Sequence, residues 1–480
     1  MGREFLPIIL NFLSIFGGKI KLSTVVFNTL IICLKILINN ASKKTPKKCT
    51  VLVIGGGPAG SSAATHLAKQ GIDVVLLERA QFPRNQVGES LIPHFWKFTD
   101  QLGVTDKIQQ QGFLSKDGGI TVWNNKIHQI LFSDYGYTRP GLHIERDIFD
   151  HILLDFSAEQ GAQVFNQVVV KKVDLSAAEP VVYYTDTRDT LNRDGKIQCR
   201  YVIDASGHSS LLAHQLDTRQ TISSEMNFLS LWGYFKNSRF VGVDRQSHAN
   251  DELDKMAPVT FVMSHDDGWL WHIILREKTS VGLIVHTDKL TGMNKAQREA
   301  FFKQSCTQIP YLKELLRDAE FIENSLQYRP DYSYYASQTC RENYYCIGDA
   351  AGFVDPIFSH GVQNAFYNAA MATMAITESL KNTSRSARYA ALCENRVQQF
   401  YSFSRALSLG DFGCNGVHRG LVKSLMKAMP PLELELMLVA SEMTNRSENF
   451  KQLAREAGVW EQFSEQIEQQ KRGVIEELNF

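Results

Sequence analysis

The sequence has no excess charge of either sign: 51 Lys and Arg stand against 51 Asp and Glu in 480 residues. This balance excludes a nucleic-acid binder that works through a bulk basic surface. The eight cysteines, at 33, 49, 199, 306, 340, 346, 393 and 414, form no C-x-x-C pair and no metal-ligand spacing. They read as free thiols of a reducing, cytoplasmic compartment, with no disulfide framework and no metal site. Internal repeats and low-complexity tracts are absent as well. So is a clean apolar run long enough to cross a bilayer. Residues 5–16 are mostly apolar, and the second run, from Leu22 to Ile38, is interrupted by Asn28 and Lys35. At 17 residues (22 to 38 inclusive) that run is at the short end for a span. If it does span, the basic flank Lys43, Lys44, Lys47 and Lys48 favours a cytoplasmic catalytic part. Membrane association through residues 5–38, as an anchor or an interfacial helix, stands beside a leader segment or an extension without a role.

What is present reads as an ordinary globular chain, 44% hydrophobic and 21% charged. Its length exceeds what one compact core supports and predicts two or three coupled subdomains. The folded part is expected to begin near Cys49. Thr50 to Ile54 is a short branched run, as in a strand buried on both faces. A glycine-rich turn, an Ala- and Ser-rich helix from Ser61 to Gln70, Gly71 and a second buried strand from Ile72 to Leu77 complete a βαβ unit. Between strand and helix stands Gly55-x-Gly57-Pro58-Ala59-Gly60, and Glu78 follows 23 residues after Gly55. Gly55 permits the tight turn, Gly57 the approach of a pyrophosphate, and Gly60 the packing of helix on strand. The helix N-terminus adds amide donors and a positive dipole end. Glu78 suits an adenosine ribose. Two further buried strands end in Asp204-Ala-Ser-Gly207 and in Gly348-Asp349, and Asp349 suits ribityl hydroxyls.

This set resembles the FAD-dependent monooxygenase superfamily, which pairs GxGxxG with a late GD motif. In that resemblance Arg146, within Ile144-Glu-Arg-Asp-Ile-Phe-Asp150, matches an arginine placed near the flavin. The implied fold is α/β: a GxGxxG FAD-binding domain of the para-hydroxybenzoate-hydroxylase-like type, an antiparallel β-sheet substrate domain and a helical C-terminal tail. The expected divisions are a hydrophobic segment and basic linker over 1–48, FAD-binding parts over 49–215 and 331–375, a β-rich substrate domain over 216–330 and a helical region over 376–480.

A narrower resemblance, covering roughly 49–375, is to the flavin-dependent halogenases. Phe82-Pro-Arg-Asn-Gln-Val-Gly-Glu-Ser-Leu-Ile-Pro93 resembles their PR…GES…P stretch. Gly268-Trp-Leu-Trp-His-Ile273 is similar to their WxWxIP motif, with Ile274 where the proline stands. Trp269 and Trp271 alternate and so share one strand face, which serves equally for core aromatics and for an active-site wall. Phe353 to Val362 resembles the halide and flavin loop. Phe358 stands where the tryptophan-directed branch carries glutamate, so the likeness is greater to the phenol- and pyrrole-directed branch. The resemblance implies an essential lysine after the GES stretch, and Lys116 in Gly112-Phe-Leu-Ser-Lys-Asp-Gly-Gly119 is the candidate. The competing reading of Lys116 is an ordinary loop lysine. Gly361 and Val362 are expected to touch the flavin, and Ser359, His360 and Gly361 to hold the halide at a helix N-terminus.

The implied chemistry is oxidation of chloride or bromide through a flavin hydroperoxide formed from FADH₂ and O₂. Lys116 then directs hypohalous acid to a phenol or pyrrole, free or carrier-bound. With one dinucleotide fingerprint in the chain, a separate flavin reductase is expected to supply reduced flavin. A prenyl-chain reductase of the geranylgeranyl type, a flavin-dependent aromatic hydroxylase and a non-catalytic flavoprotein scaffold are the alternatives.

Overall fold

The computed structural model describes residues 44–188, 191–222, 227–330, 332–409, 416–444, 447–464, 474–475, 478 and 480. The segment 5–38 lies outside them. Among the described residues no helix is long and apolar enough to cross a membrane, and no cluster of His, Cys, Asp or Glu could hold a metal.

The first sheet grows from the branched apolar runs. Lys48–Ile54 lies at its centre, parallel to Val74–Leu77 on one side and to the end of Arg193–Asp204 on the other. Gln163–Phe165 continues the parallel order beyond Val74–Leu77, and Tyr344–Cys346 continues it beyond Asp204. All four residues of Val74–Leu77 are buried, as befits a strand covered on both faces. The chain leaves the central strand toward opposite sides in its first and later parts. This creates a switch point at the carboxyl ends of Lys48–Ile54 and Arg193–Asp204, where a ligand crevice forms. The helices Pro58–Lys69 and Gly361–Lys381 pack against each other over this crevice.

A second sheet of nine strands is built around Phe228–Lys236, Thr279–His286, Gly268–Ile274 and Thr260–His265, all antiparallel neighbours in that order. Gly118–Trp123 and Lys126–Leu131 belong to this sheet too, with Gly118–Trp123 running parallel to Thr260–His265. These two strands fall within the range 49–215 expected for the first FAD-binding part. Their pairing is non-local, and the turn between them gives no sign of which sheet they join. A small sheet bridges the two bodies: Gly141–His143 lies between Ser90–Leu91 and Leu114–Lys116.

The C-terminal region is more than a tail. Helices Gly416–Ala428, Pro431–Met443 and Ser447–Ala457 share one apolar core with the inner face of the second sheet, including Trp269, Trp271, Phe358, Leu434, Leu436 and Met437.

Candidate active site

The glycine turn behaves as three different positions. Gly55 takes φ +102°, and a Cβ there would lie 2.4 Å from the Ala205 carbonyl oxygen. A Cβ on Gly60 would lie 1.9 Å from the Gly55 carbonyl oxygen. Packing alone therefore demands those two glycines. Gly57 has an ordinary extended backbone (φ −73°, ψ −175°), and a Cβ there would meet only the Arg84 guanidinium, at 3.3 Å. The space beside Gly57, at the amino end of Pro58–Lys69, is open and faced by a cation, which fits a diphosphate. Pro58 opens the helix at its first position, where its missing N–H costs nothing. The Ala59 methyl packs toward Gly348.

Glu78 is buried and accepts from the Gly56 amide at 2.6 Å and from the Ala80 amide at 2.7 Å. It therefore braces the turn, and one remaining lone pair on each oxygen is what it has for a ribose hydroxyl. Asp204 is fully buried and accepts from the Ser206 and Leu212 amides at 2.9 and 2.7 Å. It organises the turn after its strand. Arg146 is also buried. Its guanidinium makes a paired contact with Asp150 at 2.8 and 3.0 Å and donates to the Val87 carbonyl at 2.6 Å. It ties the helix Arg146–Glu159 to the GES stretch and acts on the crevice through its charge. Arg84, the arginine of the PR…GES…P stretch, joins the same Asp150 at 3.1 Å and keeps a buried, unpartnered Nη1.

Across the crevice, Asp349 lines a cleft with Gly348, Phe353, His360, Gly361 and Asn368. Its enclosed setting pushes its carboxyl up to about 6, against the pull of the Arg146 and Arg329 charges. Asn368 Nδ2 is buried without a partner in this wall. His360 caps the helix Gly361–Lys381, and its Nε2 sits 2.7 Å from Ser404 Oγ. Burial lowers the His360 imidazole to about 4, so it is neutral at physiological pH. Val362 has its side chain in an aromatic core, so only its first-turn amide is available to a ligand.

The second cleft is built around Lys116. The amine sits on the strand Leu114–Lys116, opposite Gly141, and is 4% exposed; an exposed loop lysine is excluded. It donates to Ser90 Oγ at 2.8 Å and stands 5.4 Å from the Phe132 ring centroid. Burial lowers it from 10.5 to about 7, with no carboxylate acting against that burial. The same cavity is lined by Ile92, Ile130, Thr260, Val262, Phe358 and Ser359, and by Leu436, Met437, Ala440 and Met443 of the helix Pro431–Met443. This helix was missed at the site because its apolar run Leu434 to Val439 reads equally well as core. Trp269 and Trp271 are buried and belong to the same core as that helix, with ring centroids 5.9 Å apart; neither lines the cavity.

The residues expected to hold halide are therefore divided. Ser359 faces the Lys116 cavity, whereas His360 and Gly361 face the cleft lined by Asp349. Ser359 takes φ +55° at this crossing. The loop thus forms the partition between the two clefts.

A depressed lysine makes stability depend on pH. The folded state holds fewer protons than the unfolded chain between about pH 7 and 10.5, so stability rises with pH across that window. Lys116→Met should thus stabilise the fold below pH 7 by on the order of 5 kcal/mol, at about 1.4 kcal/mol per pH unit of displacement, and by little above pH 10.5. Urea unfolding of both proteins at pH 6 and pH 10 measures the difference.

The family described as FAD binding domain matches residues 48–404. The tryptophan 2-halogenase of Chondromyces crocatus is 31% identical over 69% of this chain, which spans 61% of that enzyme's length. The 1H-pyrrole-2-carbonyl-(peptidyl-carrier protein) chlorinase of Pseudomonas fluorescens is 32% identical over 74% of this chain and 82% of its own. Among solved structures, the myxobacterial chondrochloren halogenase CndH superposes with a TM-score of 0.69 at 26% identity, covering 83% of this chain and 98% of that one. With its FAD fold, its glycine turn and its buried lysine beside an apolar cavity, the chain belongs to the flavin-dependent halogenases.

Proposed function

We propose that the protein halogenates an electron-rich arene without charged groups, a phenol or a pyrrole, and that Lys116 is the catalytic residue. The observation that carries this reading is the buried Lys116 amine opening into an apolar cavity, one loop away from the cofactor cleft.

FAD fits the residues of the first cleft. The amides after Gly57, with Pro58, Ala59 and Gly60 opening the helix and Arg84 beside it, would hold the pyrophosphate; Glu78 would hold the ribose and Asp349 the ribityl chain. The first-turn amides of Gly361 and Val362 would face the flavin ring, with Arg146 contributing positive charge. Reduced FAD, when bound, would supply two electrons that, with two from chloride or bromide, reduce O₂: one oxygen leaves as water and the other leaves with the halogen as hypohalous acid. The amide of Gly361, at the positive end of a long helix, suits the halide. Ser359 and Phe358 form the partition through which the oxidised halogen passes. Lys116 near neutrality has a share of free amine at physiological pH, and this amine holds the oxidised halogen against the arene. The ring carbon takes the halogen, and hydroxide and the ring proton leave as water.

Among the described residues lining the second cavity, Lys116 is the one ionisable group. A substrate ammonium would be stripped of water there without a partner, and a substrate carboxylate would compete for the amine. A simple phenol should therefore be halogenated with kcat/KM at least about 100-fold above that of free tyrosine, matching the several kcal/mol of an unpaired buried charge. Steady-state kinetics on the pair checks this, and a preference for the free amino acid would overturn it. The reading leaves room for an acyl-carrier-bound pyrrole, whose ring is equally neutral. The single dinucleotide fingerprint supports a separate flavin reductase as partner.

A further inference from the structure

Lys116 is the end of a line of buried polar groups. Lys116 Nζ lies 2.8 Å from Ser90 Oγ, Ser90 Oγ lies 3.0 Å from Thr260 Oγ1, and Thr260 Oγ1 lies 2.8 Å from His143 Nε2. Ser359 Oγ also donates to Ser90 Oγ, at 3.0 Å. All of Ser90, Thr260 and His143 are buried, and His143 is completely so. Three chain segments far apart in sequence meet here. Ser90 and His143 are paired across the small bridging sheet, and Thr260 opens a strand of the large one.

The donor count fixes the direction of this line. A hydroxyl has one proton to give and two lone pairs to receive with. Ser90 receives from Lys116 and from Ser359, so its own proton goes to Thr260. Thr260 has then received, and its proton goes to His143. His143 Nε2 must accept, which places the ring proton on Nδ1, a buried nitrogen without a hydrogen-bond partner. An imidazole stripped of water next to a lysine is held neutral, its basicity well below the usual histidine range.

We propose that Thr260 and His143 are positioning residues for the halogenation: they hold the line pointing away from Lys116, so that the amine donates into it and keeps its lone pair toward the cavity. This rests on the reading of Lys116 as the catalytic amine. Without an acceptor at Thr260, the Ser90 hydroxyl would turn back, because Ser359 already points its proton at Ser90. Turning toward Ser359 would break the bond that Ser359 donates, so the acceptor that keeps that bond is the Lys116 nitrogen, and an amine that receives a hydrogen bond has its lone pair occupied.

Thr260→Val keeps the shape and removes the hydroxyl. It should lower halogenation turnover by about 10- to 100-fold, the scale for losing a group that orients a catalytic one, with the KM of the arene within about twofold. Thr260→Ser should restore turnover. Thr260→Val combined with His143→Phe should be no slower than the slower single variant, because both break one line. A readout independent of flavin is carbamoylation of Lys116 by cyanate at pH 9, followed by mass spectrometry of the peptide containing it. Thr260→Val should slow this labelling by about tenfold, in line with the partial loss of an amine lone pair to one hydrogen bond. Normal turnover and labelling in Thr260→Val, with Lys116→Ala inactive, would overturn the positioning role and leave Lys116 in place. Full activity in Lys116→Ala would overturn the reading of Lys116 itself.

Discussion

Gly57→Val should yield a folded protein that carries almost no flavin. The backbone at Gly57 is one that any residue adopts, and the first atom of a side chain would meet only the tip of the Arg84 side chain at 3.3 Å. The fold therefore tolerates the change. The two methyls of valine, however, would fill the space in front of the helix Pro58–Lys69 where a pyrophosphate has to sit. Forcing that overlap costs about 1–3 kcal/mol or more, roughly a 5- to 150-fold or greater loss of affinity. Gly60→Val would be a different case. Its Cβ would overlap the Gly55 carbonyl oxygen at 1.9 Å, so the strand and helix could not approach, and the fold itself should suffer. Circular dichroism together with flavin released on denaturation separates the two. Full flavin occupancy in Gly57→Val would show that this turn does not seat the cofactor.

Lys116→Ala should keep its flavin and still consume O₂ when the flavin is reduced, but lose halogenated product by more than about 10²-fold, the scale of a positioned proton-transfer or nucleophilic group. The two clefts divide the work. In the proposed reading, groups around Gly57 and Asp349 hold the cofactor; Lys116 lies beyond the loop formed by Phe358 and Ser359. Lys116→Arg should fail as well. A guanidinium stays charged at every accessible pH and is bulkier than the amine, and in this wall it would be buried among apolar side chains with Ser90 as its partner. Product analysis by mass spectrometry, alongside oxygen consumption, checks both variants. Near-normal product in either would remove Lys116 from the reaction.

The cofactor side of the molecule was legible in the sequence because its determinants are local. A branched strand, three glycines and an acidic residue within Gly55–Glu78 define one βαβ unit, and the helix start at Gly361 is marked by the loop before it. The strand-end motif Asp204-Ala-Ser-Gly207 marks a turn but not the role of its acid: Asp204 is consumed by two backbone amides of that turn. Lys116 stood in a stretch with loop-like composition, because a three-residue strand carries no periodicity to read. Its partner Ser90 is 26 residues away and Ser90's partner Thr260 is 144 residues from Lys116; the bridging sheet places the first and the packing of the large sheet against it the second. The same holds for Gly118–Trp123, whose parallel pairing with Thr260–His265 spans the whole first part of the chain. The helix Pro431–Met443 was legible as a helix; that it closes the cavity over Lys116 depends on tertiary packing, which its apolar pattern does not specify.

The central claim is tested most directly by reducing the FAD-loaded protein without oxygen and then mixing it with O₂ and a simple phenol, in the presence and absence of bromide. The account predicts bromophenol with bromide, none without it, and no hydroxylated phenol in either mixture. Hydroxylated phenol as the main product, with or without bromide, would contradict it.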